Sequence, residues 1–142
     1  MLKNFFKKNK EEKYYNYNNI MIAALLVHAA RMDENYTEVE RRIITRALID
    51  LTNLPKENIE KIISLAEKKE LESNQIIEFT KEIKKNVIEF RFKIIELLWR
   101  IIYSDGVADQ YEKNLIRRVC GLLYISDKDN GIIKLKVQKE IK

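Results

Sequence analysis

Across 142 residues the chain holds three glycines, one proline, one cysteine, one tryptophan and one histidine. Each scarcity excludes something. Hairpins and tight turns draw on glycine and proline, so a sandwich or barrel of many short strands is all but excluded. The lone Cys120 cannot close an internal disulfide, and with His28 as the single imidazole there is no Cys/His set for zinc. Such cysteine usage fits a reducing, cytoplasmic setting. One histidine would have to serve every nucleophile–base scheme, so no Ser/His/Asp or Cys/His order can be assembled. Glycines at 106, 121 and 131 stand too far apart for a phosphate-cradling loop. The most apolar run, Ile20 to Ala30, is broken by His28 and is about half the ~20 residues a membrane span needs.

What is present reads as one soluble domain. Hydrophobic residues are 46% and charged residues 35%, too apolar for a disordered chain. A chain of this length buries roughly two-thirds of its unfolded surface and needs no metal or disulfide to hold a core. Lys and Arg number 27 against 22 Asp and Glu, a net +5. The excess is mild, and richness in Lys, Asn and Ile is what an A/T coding bias produces, so a nucleic-acid partner is not favoured without a clustered basic face. Residues 1–16 read as a mobile tail ahead of a helical domain at 17–142. Leu2, Phe5 and Phe6 could add at most a peripheral touch on a membrane, because they bury too little for stable anchoring. Tyr14, Tyr15 and Tyr17 beside Lys13 could stack bases, but a solvated tail is the simpler reading.

From Ile20 onward the apolar period is helical. Ile20 to Met32 is apolar on nearly every side, as a central buried helix should be. Thr37 with Glu40 forms a capping box that opens a second helix, with Val39, Ile43, Ala47 and Leu51 as its inner stripe. Pro55 suits a first helical position ahead of Ile59, Ile62, Ile63 and Ala66. Ser73 can cap a fourth helix carrying Ile76, Ile77, Thr80 and Ile83, and 84–86 is a break. A fifth helix, about 88–103, has Phe92, Ile95, Leu98, Trp99 and Ile102 as core rather than a cofactor box, and Gly106 ends it. Asp109 with Glu112 caps a sixth, whose Leu115, Ile116, Val119, Leu122 and Leu123 turn inward. Ser126 starts the last. Seven helices predict an all-α bundle with helix content above about 60%, twice the ordinary third.

The chain repeats itself. Leu25 to Asp33 aligns with Leu97 to Asp105, and Glu40, Ile43 and Arg46 with Glu112, Leu115 and Arg118, at a constant offset of 72 residues. Each half reads helix, Asp, short turn, capping Glu, helix. An Asp at a helix C-terminus meets the negative end of the macrodipole, and a conflict made twice invites an oxygen-ligand site for a hard divalent cation. The competing reading is structural: Glu40 and Glu112 cap helices, and Asp33 and Asp105 accept turn N–H groups or pair with an arginine. Neither corner is an EF-hand, since the sixth and twelfth positions are Glu38 and Ile44 in one, Gln110 and Ile116 in the other.

The segment Asp105-Gly106-Val107-Ala108-Asp109-Gln110-Tyr111-Glu112 after Leu98-Trp99-Arg100, with its partner from Asp33 to Glu40, resembles the tellurite-resistance TerB-like family over about 20–139. The resemblance implies an all-helical bundle of two similar halves, with acidic motifs implicated in binding Ca²⁺ or another divalent cation. By position Asp33, Glu40, Asp105 and Glu112 match the acidic ends of the motif, and Asp109 an intermediate acidic position. Glu34 stands where the first copy would have the glycine. The family implies a non-enzymatic, cation-binding or protein-interaction module of stress (tellurite) response, with an unidentified protein partner. The alternatives are a structural helical adaptor without metal and, less favoured, a basic nucleic-acid-binding module.

Overall fold

A helix with no polar face has to be wrapped on all sides, and α1 (Tyr17–Ala30) is such a helix. In the computed structural model, which describes residues 16–33, 36–105 and 108–141, every residue from Ile20 to Ala30 except His28 is buried. The side chains of Asp33 and Asp105 lie outside that description, as do residues 1–15 of the segment 1–16 expected to be a tail; its last residue, Asn16, is the N-cap of α1. The wrapping helices are α2 (Glu38–Thr52), α3 (Lys56–Glu72), α4 (Ile77–Ile83) and α5 (Ile88–Ile102), each packed against α1. Two more, α6 (Gln110–Leu122) and α7 (Asp127–Ile141), pack on α5. Short 3₁₀ turns, Arg31–Asp33 and Tyr103–Asp105, extend α1 and α5. Helix accounts for 83% of the described residues, with no strand among them. The all-α bundle of seven helices is as expected.

Scarce glycine is offset by asparagine. Asn53 closes α2 in the left-handed region (φ 59°), its N–H donating to Ile49 O, and Asn16 (φ 49°) caps α1 by accepting from Asn18 N–H. Asparagine tolerates this backbone better than other side chains with a Cβ. After α6 a tyrosine takes that role. Tyr124 sits at φ 56° so that Ile125 N–H can reach Cys120 O (2.9 Å), which closes the helix end and buries Ile125.

Three expectations shift in register. The first helix begins at Tyr17, not Ile20, because Asn16 supplies a cap and Asn18 bonds Asn86 (2.9 Å). Pro55 is the N-cap rather than the first helical residue, and Ser73 ends α3 instead of opening α4, its hydroxyl donating to Glu78. With α4 starting later, Phe79 is buried and Ile77 faces out. The stripe on α2 is the larger correction. Glu40, Ile44 and Leu48 are buried, whereas Val39 is 59% exposed and Ile43, Ala47 and Leu51 are half-buried. Both stripes run at helical spacing, and only the position of α1 decides which turns inward. Leu122 is likewise half-buried while Leu123 is buried. Gly106, expected to end α5, lies outside the described residues.

Polar contacts fasten α7 to α5. The buried Trp99 indole N–H donates to Asn130 Oδ1 (2.9 Å), its ring stacks on Tyr103, and Gln138 donates to the Tyr103 hydroxyl (2.9 Å). A buried indole needs such a partner, so Asn130 fixes the register of α7. The α2 register has a direct check. Leu48→Ala should cost about 2–5 kcal/mol in urea unfolding, whereas Val39→Ala should stay within about 0.5 kcal/mol. Similar costs at both positions would reject this packing.

Candidate functional site

The two acidic corners follow from one local rule used twice. A helix start leaves unpaired N–H groups, and a side-chain oxygen at the cap satisfies one while the glutamate three residues on returns the favour. At the first corner Thr37 Oγ1 accepts from Glu40 N–H (3.1 Å), and Glu40 Oε1 accepts from Thr37 N–H (3.1 Å). At the second, Asp109 Oδ1 accepts from Glu112 N–H (2.8 Å) and Glu112 Oε1 accepts from Asp109 N–H (3.1 Å). Both glutamates are buried, at 9% and 6% exposure, and each has interactions beyond its cap.

Of the five carboxylates picked out in the sequence, Glu40, Asp109 and Glu112 are thus members of capping boxes. Asp33 and Asp105 end the 3₁₀ turns, with side chains outside the description. Asp109 and Glu112 are joined; Glu40 belongs to its own corner. Among the described residues no group of three or more His, Cys, Asp or Glu is arranged to hold a metal ion. The described carboxylates by themselves do not fit a cation site, and one would need Asp33 or Asp105.

An ion network invisible in the sequence braces the first corner. Two carboxylates of α3 reach it: Glu70 Oε1 lies 3.3 Å from His28 Nδ1 and its Oε2 3.2 Å from Arg31, while Glu67 meets Arg41 Nε at 3.4 Å. Arg31 also lies over the Tyr36 ring. Burial and then the nearby Glu67 carboxylate push the Tyr36 phenol well above its ordinary range. His28 is therefore a hydrogen-bonded structural residue, half-buried, with a partner 42 residues away that no local pattern signals. Cys120 is buried, and burial followed by the charge of Asp127 pushes its thiol up to about 12, the reverse of what a nucleophile needs.

The outward stripe of α2 borders an open groove. Val39, Ile43, Ala47 and Leu51, facing Leu97 of α5, line a surface groove of about 760 Å³. Arg42, Arg46, Lys93 and Arg100 rim it, with Asp50 and Glu96. Glu96 is already engaged by Lys136 (2.8 Å) and Arg100 (3.3 Å), and Arg100 also meets Glu140. Burial would raise the Glu96 carboxyl, but Lys136 and Arg100 outweigh it and hold it below the usual glutamate value. Arg42, Arg46 and Lys93 have no ion-pair partner among the described residues.

The model of one family, described as tellurite resistance protein TerB, matches residues 19–135. The chain belongs to the TerB family. No curated protein and no solved structure matches it. The TerB match takes in nearly all of α1, α2 to α6 and most of α7, so both corners and the groove fall inside the TerB domain. None of its described helices is long and apolar enough to cross a membrane.

The TerB corners yield a test of what their glutamates do. Glu112→Ala should cost about 1 kcal/mol, because Asp109 N–H loses its acceptor, and Glu112→Gln should recover most of that, since an amide can still cap. Thermal or urea unfolding reads both. If Gln costs as much as Ala, the corner needs the carboxylate charge for something other than the cap.

Proposed function

We propose that this TerB domain is a non-enzymatic protein-interaction module of the stress (tellurite) response. The observation that carries the reading is the groove between α2 and α5. An apolar floor of four α2 side chains and Leu97 stands open at the surface, rimmed by four cations and two carboxylates. Apolar surface gains free energy when removed from water, at about 25 cal/mol per Å², so a floor left open is one that a partner can close. A photo-crosslinking residue placed at Val39 should give a discrete protein adduct in cells. The same residue at Leu71, which is also exposed but lies on α3, should not. Equal labelling from both positions, or none from Val39 under resting and stressed conditions, rejects the reading.

One observation favours a second reading alongside it, a divalent-cation site. The same corner occurs twice, a turn ending in Asp followed seven residues on by a buried capping Glu. The donors would be Asp33, Glu40, Asp105, Asp109 and Glu112, taking Ca²⁺ or another hard divalent ion through oxygen. A ligand that prefers the folded state raises its melting temperature by mass action. Ca²⁺ should therefore raise the melting temperature, and Asp105→Asn should abolish the rise more completely than Asp33→Asn, because the second copy keeps the Asp-Gly turn. A melting curve unmoved by saturating Ca²⁺, Mg²⁺ and Mn²⁺ leaves these carboxylates as structural members alone.

A further inference from the structure

The chain carries its own example of what covers such a groove. At the offset of 72 residues α1 corresponds to α5 and α2 to α6. The groove lies between α2 and α5, so its counterpart lies between α6 and α1. That counterpart is occupied: α4 packs against both α1 and α6. It does so as a short amphipathic helix that buries Phe79, Thr80 and Ile83, with Ile76 at its cap.

Burial follows the same exchange. Leu25 of α1 and Leu115, Val119 and Leu123 at and after α6 are buried. Their equivalents one repeat away, Leu97 with Ile43, Ala47 and Leu51, are half-buried and line the groove. Over these positions the face is covered in one place and left uncovered in the other, while Val39 and its equivalent Tyr111 are exposed in both.

We propose that the α2/α5 groove is the seat of an acidic amphipathic helix from a partner protein, held as α4 is held on the other pair of helices. The proposal rests on the reading of the groove as a docking surface and adds the class of partner. Shape comes from the counterpart: a helix with apolar anchors at i, i+3 and i+7, the spacing of Ile76, Phe79 and Ile83. Length comes from the floor, which runs from Val39 to Leu51, about three turns of helix. Charge comes from the rim. Arg42, Arg46 and Lys93 have no ion-pair partner among the described residues, whereas Glu96 is already held by Lys136 and Arg100. A basic occupant would meet three cations against the single carboxylate of Asp50, and an acidic one would neutralise the excess.

Two synthetic stapled helices with the Ile/Phe/Ile anchors of α4, one flanked by Glu and one by Lys, can be titrated into the ¹⁵N-labelled full chain. Stapling removes the cost of nucleating a short free helix. The acidic helix should shift amides within 39–51 and 93–100 and bind at least about tenfold tighter than the basic one at low salt. Arg42→Glu with Arg46→Glu, both exposed and so compatible with the fold, should reverse that order. Equal or tighter binding of the basic helix overturns the proposal, as does the absence of groove shifts with either helix. Concentration-dependent dimers abolished by Ala47→Arg would make the occupant a second copy of this chain, and groove shifts with anionic vesicles but neither helix would make it a membrane; both overturn it. Adducts from Val39 in cells without helix binding would sink this partner class while leaving the docking reading intact. Loss of those adducts would sink the reading itself.

Discussion

The structure depends on the coverage of α1. From Ile20 to Ala30 this helix has a single position, His28, that is not buried, so its whole circumference must be removed from water. A helix with one apolar stripe can rest on a neighbour; a helix apolar all round must be enclosed. α2, α3, α4 and α5 supply the enclosure, and their own inner faces are set by where they meet it. That is why α2 turns Ile44 and Leu48 inward and leaves Val39 in solvent, although both rows have helical spacing. His28 escapes burial at the one place where Glu70 can reach it.

A second constraint is the shortage of glycine. Two helix ends take the left-handed backbone without glycine, at Asn53 and Tyr124, and Asn16 takes it ahead of α1. Helix starts are handled with equal economy at the two corners, where Thr37 with Glu40 and Asp109 with Glu112 exchange paired hydrogen bonds. This gives the acidic residues a structural task of their own. Their conspicuous pattern in the sequence is at least in part the pattern of a reciprocal cap.

The two corners differ in how they are finished. Around the first corner α3 brings Glu67 and Glu70 against Arg41, Arg31 and His28, an electrostatic brace. At the second, α7 meets α5 through the Trp99–Asn130 bond, the Tyr103 stack and the Gln138 contact. The third difference is coverage: α4 lies over α1 and α6, and α2 and α5 are left with an open groove between them. The groove keeps the apolar side chains of Ile43, Ala47 and Leu51 half-buried, where Leu115, Val119 and Leu123 at and after α6 are buried.

Much of this was legible in the residues. The scarcity of glycine and proline, the 3.6-residue period and two capping boxes determine an all-α bundle of seven helices, and the offset of 72 residues aligns one helix–Asp–turn–Glu–helix segment with another. Those signals are local, or repeat at a fixed distance, so a linear reading captures them. The family resemblance rested on the same local features. Tertiary structure alone decided the rest. It turned the stripe of Val39, Ile43, Ala47 and Leu51 from expected core into the wall of a groove, because burial depends on which side of α2 faces α1. It joined His28 to Glu70 across 42 residues and Trp99 to Asn130 across 31, pairings that leave no mark on sequence spacing. Helical periodicity fixes which residues share a face, whereas the face that meets solvent is set by neighbours far away in the chain.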